Sequence, residues 1–316
     1  MKYQVLKLTF AGTVHFGIGI LESGIGTFCA DTLFSALCTE ALAREGEYGI
    51  TALKDAAKSG KLVLSDAFPF SGNELFLPKP AVPVQSKTVS DHADSTVRKQ
   101  FKKLRYMPVS ALGSYLSGTL SPEECRKYTN QTNAVGAPYL QTNVRIYDNR
   151  EKEPDPYYIG GYRFREQCGL WVLIGTAEAD AEKLLSLFRS LSTTGIGGKI
   201  SSGFGRFTVT VSEPDDALKK MIDTDEEGTW MTLSICLPNE SEMCRIIENA
   251  SYSIVKRGGF IASETYAEKA QKKNDFYMLT AGSCFAERFQ GDVYDVSAGG
   301  SHPVYQYGIP LMMRVR

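Results

Sequence analysis

The sequence has almost no net charge and no long hydrophobic run. Its 316 residues carry 35 Lys and Arg against 36 Asp and Glu, a formal net charge of −1. This balance argues against a protein that coats nucleic acid through bulk charge, but it leaves room for one locally basic site. No run approaches the ~18 apolar residues that a membrane span needs, and the opening MKYQVLKLTF lacks the apolar region of a signal peptide. We therefore expect a soluble, cytoplasmic protein.

Catalytic and metal-binding patterns are also missing. The seven cysteines form no C-x-x-C pair, which predicts reduced core cysteines rather than a disulfide framework or a zinc site. No GxSxG context marks a serine nucleophile, and no repeated carboxylate pattern marks a metal site. The three histidines, His15, His92 and His302, have no partner at the sequence level for acid–base catalysis. The sequence predicts no metal, no cofactor and no catalytic residue.

Hydrophobic patterning in the first two-thirds of the chain predicts an α+β domain. Leu6, Leu8 and Phe10 alternate with polar residues, as in a half-buried strand. ADTLFSALCTEALAREG predicts a helix that Asp31 caps and Gly46 ends. Its predicted apolar face comprises Leu33, Phe34, Leu37, Ala41 and Leu42. Later segments complete the order β–α–insert–β–β–α–β, which is the ferredoxin-like order that RRM domains also use.

The domain organisation predicted from the sequence has two RRM-like units, 1–212 and 213–316. The first contains an insert over about 47–140, with an extended proline-rich loop in FPFSGNELFLPKPAVPV, and a long β-hairpin over 141–165. The acidic stretch SEPDDALKKMIDTDEEGT predicts a connection between the units. In the second unit, which would be a degraded ferredoxin-like domain, Asn239 and Glu242 are spaced like a capping box.

The stretch TTGIGGKISSGFGRFTVTV carries the main functional prediction. It runs from a predicted helix into a predicted strand, whereas a P-loop or a Rossmann turn runs from strand to helix, so no helix N-terminus points into it. Glycines let successive backbone N–H groups approach an anion, and Lys199 and Arg206 add positive charge. We therefore predict binding to an RNA backbone, with Phe204 stacking on a base. A helix C-cap followed by a tight turn is the alternative.

The predicted RNA-binding residues fall into two groups. The glycine loop supplies Gly197, Gly198, Lys199, Ser201, Ser202, Gly203, Phe204, Gly205 and Arg206. A short basic helix in STVRKQFKKLRYMPV supplies the weaker candidates Arg98, Lys102, Lys103 and Arg105. The charge pattern of that helix is equally typical of a solvated surface.

Three further stretches, taken with the glycine loop, carry a family resemblance. They are DTLFSAL in the first helix, KRGGF in the second unit and HPVYQYGIPLMMRV near the end. Together they resemble the RAMP superfamily of CRISPR proteins, and within it the handle-capping RAMP subunits of the type III-A (Csm) interference complex. Two positions depart from that pattern: Ala30 stands where relatives often carry Ser, and Gln306 where a basic residue is common.

The resemblance implies a non-catalytic subunit that holds the repeat-derived 5′ handle of the crRNA. Such a subunit joins the large polymerase-like subunit to the backbone RAMP subunit, and the hairpin at 141–165 would act as a thumb beside the crRNA. Arg145 in this hairpin, and Lys256 and Arg257 of KRGGF, are further weak candidates for RNA contact. Two alternatives stay open: a RAMP-type endoribonuclease that processes crRNA with His15 as its best candidate, and a protein-only scaffold.

Overall fold

The computed structural model describes residues 1–17, 19–83, 95–147, 153–263 and 265–316, without the side chains of 95–97. The helices in this part of the chain are α1 (Ala30–Glu45), α2 (Glu47–Lys58), α3 (Ser95–Lys103), α4 (Leu112–Leu116), α5 (Pro122–Asn133), α6 (Ala181–Thr194), α7 (Asp216–Ile222) and α8 (Met243–Glu248). The strands are β1 (Lys2–Phe10), β2 (Phe16–Gly17), β3 (Gly24–Ile25), β4 (Leu62–Leu64), β5 (Phe68–Ser71), β6 (Glu74–Pro78), β7 (Tyr106–Pro108), β8 (Gly136–Arg145), β9 (Asp155–Phe164), β10 (Cys168–Thr176), β11 (Phe207–Ser212), β12 (Trp230–Thr232), β13 (Ile254–Arg257), β14 (Phe276–Leu279), β15 (Cys284–Phe285), β16 (Val293–Asp295), β17 (Tyr305–Tyr307) and β18 (Met312–Arg314).

The main sheet is antiparallel, and β1 lies between the edge strand β11 and β10. Its strand order is β11-β1-β10-β5-β6-β7, and β4 pairs with β10 beside β5. Leu8 of β1 lies opposite Leu170 of β10 and Val209 of β11. The part of the chain from β1 to β11 therefore has mixed α/β composition and antiparallel pairing in its main sheet.

The main sheet is buried on both faces. On one face, Leu6, Leu8 and Phe10 pack against α1 and α6, as their alternation predicts. On the other face, Val5 and Trp171 pack in a core shared with the small sheet β15-β12-β18 near the end of the chain. Strand β10 is buried along its whole length, which explains why its sequence is a continuous apolar run rather than an alternating one.

Helix α1 forms where predicted, but its N-terminus is capped differently. The N-cap residue is Cys29, and Asp31 lies in the first turn instead of at the cap. Asp66 provides the missing acceptor, because its Oδ1 takes the Ala30 N–H at 2.7 Å. Leu42 is 46% exposed, so its placement on the buried face was wrong. Gly46 ends the helix with a φ of 68°, as predicted.

The proline-rich stretch from residue 68 is a β-hairpin rather than an extended loop. β5 and β6 are joined by a tight turn at Gly72, whose φ of 58° favours glycine. β4 and β5 both pair with β10, so the first part of the predicted 47–140 insert belongs to the main sheet. The prediction failed because prolines were taken as evidence against strands, although a proline is tolerated where its missing N–H is not needed.

The acidic stretch after β11 is also more ordered than predicted. It contains α7, which Asp215 caps by accepting the Leu218 N–H at 2.7 Å. Leu218 and Ile222 are buried in the core, so this segment is packed and not a simple connection. The short helix α8 follows. Asn239 and Glu242 bond each other's backbone N–H, as the predicted capping box requires, but they do so in the turn before the helix, whose N-cap is Glu242.

The cysteines differ in how deeply they are buried. All seven cysteines are free, as predicted, but Cys244 is exposed and not a core residue. In the described ranges, no helix is both long and apolar enough to cross a membrane.

Candidate nucleic-acid interface

The glycine loop between α6 and β11 is held rigidly by its own backbone. Gly195 ends α6 by donating its N–H to the Leu191 carbonyl at 2.7 Å. Gly197, Gly203 and Gly205 have φ values of 99°, 83° and 76°, a region that glycine adopts without strain. A Cβ at Gly205 would lie 2.1 Å from the Ile196 carbonyl oxygen. The glycines are therefore needed for the conformation of the loop itself, whatever the loop binds.

Only part of the loop backbone is available to a ligand. The N–H groups of Gly198, Gly203 and Gly205 are used internally, by the carbonyls of His15, Ile200 and Thr13. By contrast, no intramolecular acceptor among the described residues takes the four N–H groups of Gly197, Lys199, Ile200 and Ser201. These four residues are exposed or half-exposed. The donors that can meet an anion thus lie at the middle of the loop.

Phe204 does not have the role that the sequence suggested. Its side chain is only 7% exposed, and its ring lies close to Gly161 of β9, where a Cβ would be 3.8 Å from Phe204 Cε2. The prediction that this ring stacks on a base was wrong for this conformation. Phe204 instead fixes the loop against the base of the hairpin.

The two cations of the loop have no acidic partner in the described part of the chain. Lys199 is half-exposed and Arg206 is exposed, and neither forms a salt bridge there. The cations just upstream on α6 differ, because Lys183 pairs with Glu45 and Arg189 with Glu182, each at 2.7 Å. Among the described residues, the positive charges of Lys199 and Arg206 are therefore not neutralised by a nearby acid. A protein with almost no net charge can present a basic site in this way.

The loop is joined to the predicted hairpin through the segment 13–17. β8 and β9 pair from Gly136 opposite Phe164 to Arg145 opposite Asp155, so the hairpin begins five residues before the predicted 141, and its tip at 148–152 lies outside the described residues. The ring of His15 donates from Nδ1 to the Gly160 carbonyl of β9, while the His15 carbonyl accepts the Gly198 N–H at 2.8 Å. The loop and the hairpin base thus form one continuous hydrogen-bonded unit.

Arg163 is a site residue that sequence reasoning missed. Its Nε donates to Thr13 Oγ1 at 2.9 Å, and the Thr13 carbonyl in turn accepts the Gly205 N–H at 3.0 Å. The guanidinium lies 3.4 Å from the centre of the Tyr139 ring, an attractive cation–π arrangement. Arg163 is exposed and, within the described ranges, has no acidic partner. The only sequence clue was a basic residue on a hairpin arm.

The weaker candidates are exposed, apart from Arg257, which is half-buried. Lys102, Lys103 and Arg105 are exposed on or just after α3, and Arg98 is exposed at its start. Arg145 is exposed at the far end of β8. Lys256 is exposed and pairs with Asp275 at 2.7 Å.

Arg257 is held in an ion pair with Asp31, and its contact with RNA stays a prediction. Its Nε and Nη2 bond the two carboxylate oxygens of Asp31 at 2.7 and 2.8 Å. Burial lowers the pKa of Arg257, but the charge and hydrogen bonds of Asp31 outweigh it and raise the pKa overall. Gln306 donates to Asp31 Oδ2 at 2.7 Å and accepts from Lys273 at 2.6 Å. This network joins α1 to the strands β13 and β17.

The histidines offer little for catalysis. His15 is buried, and its one ring hydrogen bond goes to a backbone carbonyl. His302 bonds Ser263 through Nε2 at 2.8 Å and the Pro303 carbonyl through Nδ1 at 3.0 Å, and His92 lies outside the described residues. Within those residues, no group of three or more His, Cys, Asp or Glu side chains is arranged to hold a metal.

Comparison with known proteins gives consistent results over nearly the full chain. A family model for the CRISPR Csm4 C-terminal domain matches residues 225–315. The chain is 37% identical over 313 residues to the CRISPR system Cms protein Csm4 of Mycobacterium tuberculosis, covering 99% of this chain and 98% of that protein. It is 31% identical over 320 residues to Csm4 of Streptococcus thermophilus, covering 100% and 99%.

Solved structures with the same fold include subunits of type III-A complexes. One is from the crystal structure of the Csm3-Csm4 subcomplex in the type III-A CRISPR-Cas interference complex, with a TM-score of 0.67, 20% identity and 99% coverage of each chain. Another is from the Csm1-Csm4 cassette in complex with cA4, with a TM-score of 0.62 and 22% identity, covering 100% of this chain and 98% of that one.

Proposed function

This chain belongs to the Csm4 family, and on that basis we propose that it is a non-catalytic RNA-binding subunit of a type III-A Csm complex. Its glycine loop holds the repeat-derived 5′ handle of the crRNA. One observation carries the proposal: the loop combines two cations without acidic partners and four backbone N–H groups without intramolecular acceptors, all in the described part of the chain. That combination suits a phosphodiester backbone.

The chemistry of the loop fits recognition of a backbone rather than of bases. In RNA-guided complexes, base pairing supplies the sequence specificity, and the protein needs mainly backbone and shape contacts. The loop offers fixed N–H donors, the hydroxyls of Ser201 and Ser202, and the charges of Lys199 and Arg206. Arg163 extends this surface toward the hairpin, which we propose acts as a thumb beside the crRNA. The burial of Phe204 leaves base stacking to other groups.

The partners of the chain are proposed from its relatives. Solved structures pair other Csm4 proteins with Csm3 and with Csm1. We propose that this chain likewise bridges a backbone RAMP subunit and the large polymerase-like subunit. The order of strands in the main sheet supports a ferredoxin-like first domain over 1–212. A second such unit over 213–316 is proposed only from the α+β pattern of the sequence.

The absence of catalysis is also part of the proposal. RNA cleavage by acid–base chemistry needs a positioned group with a second acid or base within reach. His15 lies beside the glycine loop, but its only ring hydrogen bond in the described structure is to the Gly160 carbonyl. This favours a role in positioning the loop and the hairpin over the endoribonuclease alternative.

The test is the double substitution Lys199→Ala and Arg206→Ala, made in the gene and followed by purification of the assembled complex. We expect the protein subunits to co-purify with most of the crRNA lost, because two phosphate contacts are removed. The matched control is Lys183→Ala with Arg189→Ala, which removes two exposed cations from α6 and should leave the crRNA content normal. Normal crRNA content in the loop variant would favour the protein-only scaffold and refute the proposal.

A further inference from the structure

The KRGGF segment presents a second candidate binding surface, here called the Phe260 platform. It comprises Gly258, Gly259 and Phe260, which follow strand β13, together with Lys272, which is bridged to Phe260, and Tyr277 of strand β14. The side chains of Phe260 and Tyr277 are 66% and 60% exposed. Large aromatic side chains that are exposed together in one short segment are typical of a surface that binds a partner.

The backbone holds Phe260 in its exposed position from both sides. Before it, Arg257 is anchored by its ion pair with Asp31. After it, the chain returns alongside, and the Lys273 N–H donates to the Gly259 carbonyl at 3.0 Å. Gly259 has a φ of 130°, a value that favours glycine. The ring of Phe260 is therefore presented to solvent by an ordered segment that is tied to α1.

The platform also presents backbone donors. The N–H groups of Gly258, Gly259 and Phe260 are consecutive, and no intramolecular acceptor in the described part of the chain takes any of them. All three residues are exposed. Successive N–H groups of this kind can bind an anion, and here they lie directly beside an aromatic ring.

A cation lies against the same ring. The Nζ of Lys272 is 5.3 Å from the centre of the Phe260 ring, an attractive cation–π arrangement. Lys272 is exposed and, within the described ranges, has no acidic partner. An acid does lie near, because a Cβ at Gly258 would be 2.5 Å from Asp275 Oδ1. Asp275 is paired with Lys256 at 2.7 Å, so the charge of Lys272 is left for a ligand.

An exposed ring, a cation on that ring and free backbone donors together suit one nucleotide of a single strand. We propose that the Phe260 platform binds single-stranded RNA, with one base stacked on Phe260 and the adjoining phosphate at Lys272 and the N–H groups of 258–260. Proteins that bind single strands combine aromatic rings and cations in this way. A protein partner would account for the exposed rings but not for the unpaired cation. The platform would supply the base stacking that the buried Phe204 does not provide.

The test measures binding of a fluorescein-labelled oligoadenylate to the purified full chain by fluorescence anisotropy. Phe260→Ala should weaken binding by about fivefold or more, because the stack of one base is lost. Phe260→Trp keeps an aromatic ring and should bind within about twofold of the wild type. The side chain is exposed, so neither change should affect folding.

Inorganic polyphosphate, which has charge but no bases, separates the two roles within the platform. Its affinity, measured by calorimetry, should fall in Lys272→Ala and should stay within about twofold of the wild type in Phe260→Ala. An equal fall in both variants would contradict base stacking on Phe260.

The matched control is Tyr48→Ala. Tyr48 is 74% exposed on α2, and it too has a lysine near its ring, with Lys183 Nζ 5.9 Å from the ring centre. This variant should keep the RNA affinity of the wild type. An equal loss in Tyr48→Ala, or an unchanged affinity in Phe260→Ala, would overturn the inference.

The inference shares its RNA ligand with the proposed function but none of its residues, so the same assay keeps the two apart. The glycine-loop variant Lys199→Ala with Arg206→Ala is measured beside Phe260→Ala. An affinity that falls in Phe260→Ala but not in the loop variant supports the platform and counts against the glycine loop. The reverse pattern overturns the platform and leaves the proposed function standing.

Discussion

Asp66 gives this protein a pH dependence that can be calculated from its surroundings. The carboxyl is buried, and burial is the largest cause that raises its pKa from 3.8 to about 7, although the N–H groups of Ile235 and Ala30 oppose the shift. A shift of this size, about 3 units, corresponds to ~4 kcal/mol at most. The ionised carboxylate therefore costs folding free energy in the native state.

The sign follows from which state holds the proton. Below pH ~4, Asp66 is protonated in both the folded and the unfolded chain, and it carries no penalty. As the pH rises toward 7, the unfolded chain releases the proton first, so the free energy of unfolding falls by up to ~1.4 kcal/mol per pH unit. Above pH ~7 the full penalty is present. Through this group alone, the wild type loses stability between pH 4 and 7.

Asp66→Asn removes the charge and keeps an oxygen for the N–H groups of Ala30 and Ile235. We expect the variant to gain stability over the wild type by about 3 kcal/mol more at pH 7.5 than at pH 4.5, measured by urea denaturation. Asp55→Asn is the control, because that acid is exposed on α2, and its effect should be the same at both pH values. An Asp66→Asn effect that does not change with pH would refute the reasoning.

The other predictions concern the buried ion pair, the loop backbone and His15. Arg257→Ala leaves Asp31 buried without its cation and should lower the free energy of unfolding by ~3–5 kcal/mol; an unchanged urea midpoint would contradict this. Gly205→Ala should destabilise the chain more than Gly203→Ala in a thermal melt, because a Cβ meets the Ile196 carbonyl at 2.1 Å at the first position and open space at the second. Equal melting temperatures would show that the loop relaxes freely. His15→Ala should reduce crRNA retention without changing any RNA cleavage, and loss of cleavage would revive the endoribonuclease alternative.

The sequence predicted those parts of the fold in which hydrophobic periodicity is strong. The alternation in β1, the apolar run of β10 and the helical spacing of α6 all lie in the main sheet and its covering layer. The prediction from sequence failed where the local composition favours a different structure from the one that forms. The prolines argued against strands in the segment that forms the β5–β6 hairpin. The acidic residues around α7 predicted a simple connection, although Leu218 and Ile222 of this helix are buried. Tertiary packing overrode local preference in both places.

The candidate site was predictable only where it is local in sequence. Lys199 and Arg206 lie within one loop and could be found from its composition. Arg163 and His15 are connected to that loop by hydrogen bonds between segments that lie far apart in the sequence. A local sequence pattern cannot predict such contacts. Phe204 was misjudged because an aromatic residue in a glycine-rich loop can point to either side, and here it packs inward.

The most direct test of the central claim is to purify the tagged chain from its host and sequence the RNA that co-purifies, with every 5′ end mapped. The account predicts short RNAs that share one repeat-derived 5′ end and continue into different guide sequences. RNA with random 5′ ends, or no RNA at all, would contradict handle binding and would leave the glycine loop as a structural turn.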